Sequence, residues 1–384
     1  MDPAELDRID VGTLRRAGGL KWSMHPEAIG AFVAEMDFGT APAVRAALHA
    51  AVDAGGLGYL PAAASEAMSA AYAAWSADRY GCPVDPADVR PVADVVAAFQ
   101  LAIEHLSRPG SPVVLPTPAY MPFLIVPPAL GREVIQVPLL ADGPRSGYDL
   151  AALDAAFAAG GDLLVLCNPH NPVGRVLEPA EMLAIAEVVD RHGGRVFADE
   201  IHAPLVFPGH RHVPYASLSP VTAGHALTAT SASKAWDLAG LKCAQVVLSN
   251  DADRELWERV GLLAGHGTAT PGAIAATAAY SAGGPWLASV LEYLDGNRRL
   301  LAELVADLLP GVGYTPPEGT YLGWLDFRET GPAEPAAHFL ERAGVAMTDG
   351  ARCGEAGRGF ARFTFALPRP LLRAAVQRLA AAMP

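Results

Sequence analysis

Residues 162–174 read DLLVLCNPHNPVG, and residues 195–202 read RVFADEIH. Each opens on a short apolar run and turns polar at its end. Short apolar runs bounded by turn formers are buried strands. Between them, Glu178 to His192 repeats its apolar residues at helical spacing and stops at Gly193-Gly194. A strand, a helix and a second strand in close succession predict a parallel pair joined by a crossover helix.

The same rhythm extends in both directions. Upstream, Ser111–Leu115 and Arg132–Leu139 read as strands, and Asp149–Ala159 reads as a helix capped by Asp149. Downstream, His225–Thr230 and Cys243–Leu248 read as further strands. The predicted class is α/β, a large domain with a mostly parallel sheet flanked by helices. Ligands of such sheets bind beyond the carboxyl ends of the strands. The residues just after each strand are therefore the candidate site.

After about residue 280 the texture changes. A long helical stretch (Pro285–Leu309) leads to Tyr321–Phe327, a helix near Pro335–Ala343, a strand at Ala361–Phe365 and a terminal helix from Pro368. These elements predict a smaller α+β domain over residues 281–384. Residues 46–280 form the predicted large domain, and residues 1–45 are expected to pack with the small one.

Composition excludes several functions. A chain of 384 residues is too long for one small core. The net charge of -13 and the lack of a Lys/Arg run argue against nucleic acid, so any pocket for an anion must be built locally. Cys82, Cys167, Cys243 and Cys353 are scattered, which predicts no disulfide framework and a reducing, cytoplasmic setting. The opening MDPAELDRID has no apolar leader core, and no apolar run reaches the roughly 18 residues of a membrane span. Neither a leader nor membrane association is expected. The eleven histidines show no metal-binding spacing, so no metal is expected.

Three polar stretches stand at predicted strand ends. Asp199 closes RVFAD; alone, it reads as a turn acid or a helix cap. Asn168–Gly174 follows DLLVLC and alone reads as a loop built by Asn-Pro turns. Lys234 lies in TSASKAW after the apolar HALTAT. A single lysine is usually a solvated surface residue, but here Ser231 and Ser233 flank it. Small hydroxyls hydrogen-bond phosphate, and a lysine amine condenses with an aldehyde.

Taken in chain order, Asn168–Gly174, then Asp199, then Lys234, the three stretches resemble the fold-type I enzymes dependent on pyridoxal 5′-phosphate (PLP), the aspartate aminotransferase superfamily. Within it, the chain looks most like the cystathionine β-lyase, or cysteine-S-conjugate C–S lyase, branch. The likeness runs through LKW, AFVAEMDF, TPAYMPF, CNPHNPVGR, ADEIHAPLVFPG, SASKAWDLAGLKC, PEGTYLGWLDFR and GFARFTFALPR, which is nearly the whole chain.

The resemblance implies a role for each matching position. Lys234 corresponds to the lysine that joins PLP and then acts as the base at the substrate α-carbon. Asp199 corresponds to the acid facing the pyridine nitrogen, while Asn171 and His202 correspond to groups near O3′. Tyr120 corresponds to the aromatic stacked on the ring. Ser231, Ser233, Lys242 and the helix start at Val95 and Val96 correspond to the phosphate cup. Tyr59 matches a tyrosine that reaches the phosphate of a neighbouring subunit, which implies a homodimer with shared sites. Arg362 matches the arginine that grips the substrate carboxylate. One position departs from the pattern: Asp94 stands in VADVVAAF where relatives often carry glycine. It is expected to N-cap the following helix; the alternative is a reshaped phosphate site.

The implied activity is α,β-elimination on an L-cysteine S-conjugate such as cystathionine, giving a thiol, pyruvate and ammonia. Aminotransfer uses the same lysine and is the alternative. A non-catalytic protein that kept the fold is the third reading; retention of Lys234, Asp199 and Arg362 weighs against it.

Overall fold

The computed structural model describes residues 2–140 and 146–384. Seven strands form one sheet: β1 (Val89–Val92), β2 (Val113–Thr117), β3 (Val134–Pro138), β4 (Leu163–Cys167), β5 (Arg195–Asp199), β6 (Ala226–Thr230) and β7 (Ala244–Leu248). Their spatial order is β1-β7-β6-β5-β4-β2-β3. Only β7 runs against its neighbours; the other pairings are parallel. The sheet is thus mostly parallel, as its sequence predicts.

Helices cover both faces, and the strand side chains show it. Every residue of β2, β4, β6 and β7 is buried, so these strands read as unbroken apolar runs rather than alternating ones. Side chains still alternate between the faces. Leu163, Val165, Cys167, Phe197, Leu227 and Ala229 share one core with helix α1 (Val95–His105). Leu164, Leu166, Val196 and Ala198 face the opposite core, with α2 (Leu150–Ala158) and α3 (Pro179–Arg191). The period of two then places Asp199, two residues beyond Phe197, on the α1 side of the sheet.

Local capping fixes where these helices begin and end. Asp149 accepts from Ala152 N at 2.9 Å and starts α2 as its position predicts. Glu181 reaches back to Glu178 N at 2.9 Å at the start of α3. The helix ends before Gly193, whose φ of 63° is left-handed.

A second sheet contains β8 (Gly313–Tyr314), β9 (Leu322–Asp326), β10 (Thr348–Asp349) and β11 (Phe360–Thr364), all antiparallel, in the order β10-β11-β9-β8. Helices α4 (Gly284–Leu308) and α5 (Arg369–Ala381) flank it. The sequence predicts two strands here and the structure has four. β8 and β10 are two residues each, too short for alternation to register in the sequence.

The start of the chain is hydrogen-bonded to β11 of this second sheet and forms a separate two-stranded sheet of its own. Ile29 and Gly30 pair in parallel with Val345 and Ala346. Thr364 N donates to Ala31 O at 2.8 Å, and Thr364 Oγ1 donates to Val33 O at 3.0 Å. Residues 31–38 are anchored from behind by a buried ion pair between Lys21 and Asp37 at 2.9 Å. Lys21 also donates to Glu35 O and Ala366 O, and Trp22 Nε1 donates to Asp37 at 2.8 Å. Such hydrogen bonds are what a buried ion pair requires to offset its desolvation. Among the described residues, no helix is long and apolar enough to cross a membrane.

Candidate active site

A cavity of about 190 Å³ opens at the carboxyl ends of β5 and β6 and the start of α1. Asp94, Val95, Val96, Tyr120, Asn171, Asp199, His202, Ser231, Ser233, Lys234 and Lys242 all line it. Other cavities are larger, among them one of about 350 Å³ beside Trp324 and one of about 390 Å³ beside Cys82. Neither brings a lysine amine and a strand-end carboxylate together, and volume alone does not make a site.

Asp199 is 3% exposed and ends β5. Its carboxylate accepts from Ile201 N at 3.1 Å and from the Cys167 thiol at 3.6 Å. Burial pushes its pKa up to about 6, and these two donors oppose the rise. A buried carboxylate of this kind is poised for a cationic ligand atom. Lys234 Nζ donates to Ala34 O at 3.0 Å. Burial lowers its pKa from the ordinary lysine value, against the attraction of Asp237. The amine therefore loses its proton more readily than an exposed lysine.

Arg362 lies just beyond this cavity, on β11 of the second sheet. It is buried, and its Nη1 donates to Asn171 Oδ1 at 3.0 Å. Its Nη2 donates to Phe32 O at 2.9 Å and to Thr348 Oγ1 at 3.2 Å, while Nε has no partner among the described residues. His202 is also buried, and its Nδ1 has no partner among the described residues. Burial pushes its pKa down to about 3, so the ring is neutral. Tyr120 sits edge-on to Phe123, which fixes one side of its ring.

At the other end of the cavity, Ser231 Oγ donates to Cys243 O at 2.7 Å and accepts from Ser233 N at 3.0 Å. Lys242 Nζ meets Asp94 at 2.8 Å. Asp94 caps α1 by accepting from Ala97 N at 2.8 Å, as its position predicts. Burial works against this carboxylate, but the hydrogen bonds from Lys242 and Ala97 outweigh it and hold its pKa below the usual value. Tyr59 is the exception to the convergence. It is 90% exposed, and its nearest ring neighbour is His266, 6.2 Å away.

The donor set fits a flat, anionic, aldehyde-bearing ligand. It offers an amine, a buried carboxylate, an orphaned His202 nitrogen, and a mouth with hydroxyls, a cation and a helix start.

Three contributors carry no motif of their own. Cys167 reaches Asp199 because the two residues are register partners on adjacent strands, a signal available only once the pairing is known. Ala34 acts through its carbonyl, which also accepts from Tyr321 OH at 2.9 Å. Asp237 is half-buried three residues after Lys234, accepts from Met36 N at 3.0 Å and adopts a left-handed φ of 56°. Its position inside SASKAWD is the signal that could have marked it.

The sequence profile described as aminotransferase class I and II matches residues 32–379. The chain belongs to the aminotransferase class I and II family. Among similar members is a cystathionine beta-lyase of Corynebacterium glutamicum, 37% identical, covering 96% of this chain and 98% of that protein. Another is an arginine–pyruvate transaminase of Pseudomonas aeruginosa, 29% identical, covering 94% of each chain. The crystal structure of cystalysin from Treponema denticola, described as containing a PLP cofactor, superposes with a TM-score of 0.90 at 28% identity, covering 98% of this chain and 97% of that one.

Proposed function

We propose that the protein is a PLP-dependent C–S lyase acting on an L-cysteine S-conjugate such as cystathionine. The observation that carries the chemistry is the half-buried Lys234 amine sharing one cavity with the buried Asp199 carboxylate. The choice of lyase is supported by the full-length likeness to a cystathionine beta-lyase at 37% identity.

Lys234 would hold PLP covalently, with Asp199 toward the ring nitrogen, Asn171 and His202 toward O3′, and Tyr120 on the ring face. Ser231, Ser233, Lys242 and the amides of Val95 and Val96 would take the phosphate. When bound, PLP supplies an electron sink that stabilises negative charge at the substrate α-carbon. Lys234 would also be the group that takes the α-proton, at Nζ; its lowered pKa favours the neutral amine that this requires. Arg362 binds the α-carboxylate through its planar fork, exchanging the oxygens of Asn171 and Phe32 for those of the substrate. The Cβ–S bond breaks with its electron pair on sulfur, and thiols are acidic enough (pKa about 8.5) to leave as thiolates. The three-carbon product, 2-aminoacrylate, is hydrolysed to pyruvate and ammonia.

The same proposal includes a homodimer in which the exposed Tyr59 completes the partner's site. It also includes a division into residues 46–280 and 281–384, with residues 1–45 joined to the latter. A cytoplasmic setting is supported by four free cysteines.

The test is incubation of the PLP-loaded protein with an S-alkyl-L-cysteine and no keto acid. Steady pyruvate release with stoichiometric thiol is expected. Turnover that requires an added keto acid would instead make the protein an aminotransferase, the reading favoured by its transaminase relative. Arg362→Lys is expected to lower kcat/KM about 100-fold, chiefly through KM, because an ammonium cannot reproduce a bidentate grip. An unchanged KM in steady-state kinetics would remove Arg362 from the carboxylate site.

A further inference from the structure

The phosphate end of the cavity is charged in an unexpected way. Its single cation among the lining residues other than Lys234 is Lys242, and that ammonium is paired with Asp94 at 2.8 Å. The other Asp94 oxygen takes Ala97 N at 2.8 Å in the first turn of α1. A carboxylate thus sits on the two kinds of donor, ammonium and helix N-terminal amide, that an incoming phosphate would seek. Both partners are partly open to solvent, the side chains being 58% exposed for Lys242 and 36% for Asp94.

We propose that Asp94 is an internal competitor of the cofactor phosphate, so that this protein holds PLP loosely at its phosphate end and exchanges it with free cofactor. The inference rests on the PLP reading of the cavity. A bound phosphate carries nearly two negative charges. With Asp94 ionised beside it, Lys242 must serve three negative charges rather than two, and the first turn of α1 serves both groups at once. Holding Lys242 ready for the phosphate would be the opposite role for Asp94, and it predicts the opposite sign.

The test uses Asp94→Asn and Asp94→Ser, because Asn and Ser both keep an N-cap acceptor while removing the charge. Equilibrium dialysis of cofactor-free protein against PLP gives the affinity. The same measurement with pyridoxal, which lacks the phosphate, localises the effect. Both variants are expected to bind PLP about tenfold more tightly at low salt, with a slower release rate, and the gap is expected to shrink as salt screens the pair. Pyridoxal binding is expected to stay unchanged. Equal or weaker PLP binding by both variants, or an equal gain for pyridoxal, overturns the proposal and leaves the cofactor reading intact. Failure of the unaltered protein to take up PLP overturns both.

Discussion

Replacing Lys234 with alanine lowers pyruvate release by about 10⁴-fold or more, because anchor and base are lost together. No other amine can take over. Lys242 is held by Asp94 at 2.8 Å at the phosphate end, and Lys21 is locked to Asp37 at 2.9 Å behind residues 31–38. The variant is expected to fold, since among the described residues the only hydrogen bond lost is the one to Ala34 O, and that carbonyl keeps the Tyr321 hydroxyl as a donor. It should also lack the visible absorbance of the loaded protein, and borohydride should leave no reduced cofactor on it. Retention of activity, or mapping of the reduced adduct to another lysine, would end the assignment of both roles to Lys234.

Asp199→Asn is expected to cost about 10³-fold in kcat, in the range found when one preorganised electrostatic group is removed from a water-poor site. The amide keeps the shape of the side chain and can still accept from Ile201 N. What it lacks is the charge that keeps a ring nitrogen protonated. The pH dependence of cofactor uptake provides a second readout. With a carboxyl pKa pushed up to about 6, Asp199 is ionised above that pH and neutral below it. Uptake of PLP by cofactor-free protein is therefore full above pH 6 and weakens as pH falls through it. The PLP phosphate also titrates near 6, so the Asp199→Asn protein is the control that isolates the carboxyl step. An identical pH profile in both proteins would remove Asp199 from the ring nitrogen.

Which parts of this site were legible beforehand follows from how each residue reaches it. Asn171, Asp199 and Lys234 come directly after apolar strands, so the rule that α/β ligands gather at strand ends was enough to group them. Asp94 was legible as a cap from its place before VVAAF, but its pairing with Lys242 depends on how two separate loops meet. Arg362 lies on a different sheet, and no spacing in the chain brings it to Asn171; only resemblance marked it. Ala34 was invisible because it contributes a carbonyl, which every residue has. The short strands β8 and β10 were missed for a related reason: two residues carry no periodicity.

The main-chain oxygens of Phe32 and Ala34 receive the guanidinium of Arg362 and the amine of Lys234. Because every residue type offers the same oxygen, point replacements along this stretch leave the polar lining of the chamber unaltered so long as the path of the chain holds. Adding or removing one residue is a different matter. It would slide the whole row of acceptors past both cations at once, so the stretch tolerates a change of spelling far better than a change of length.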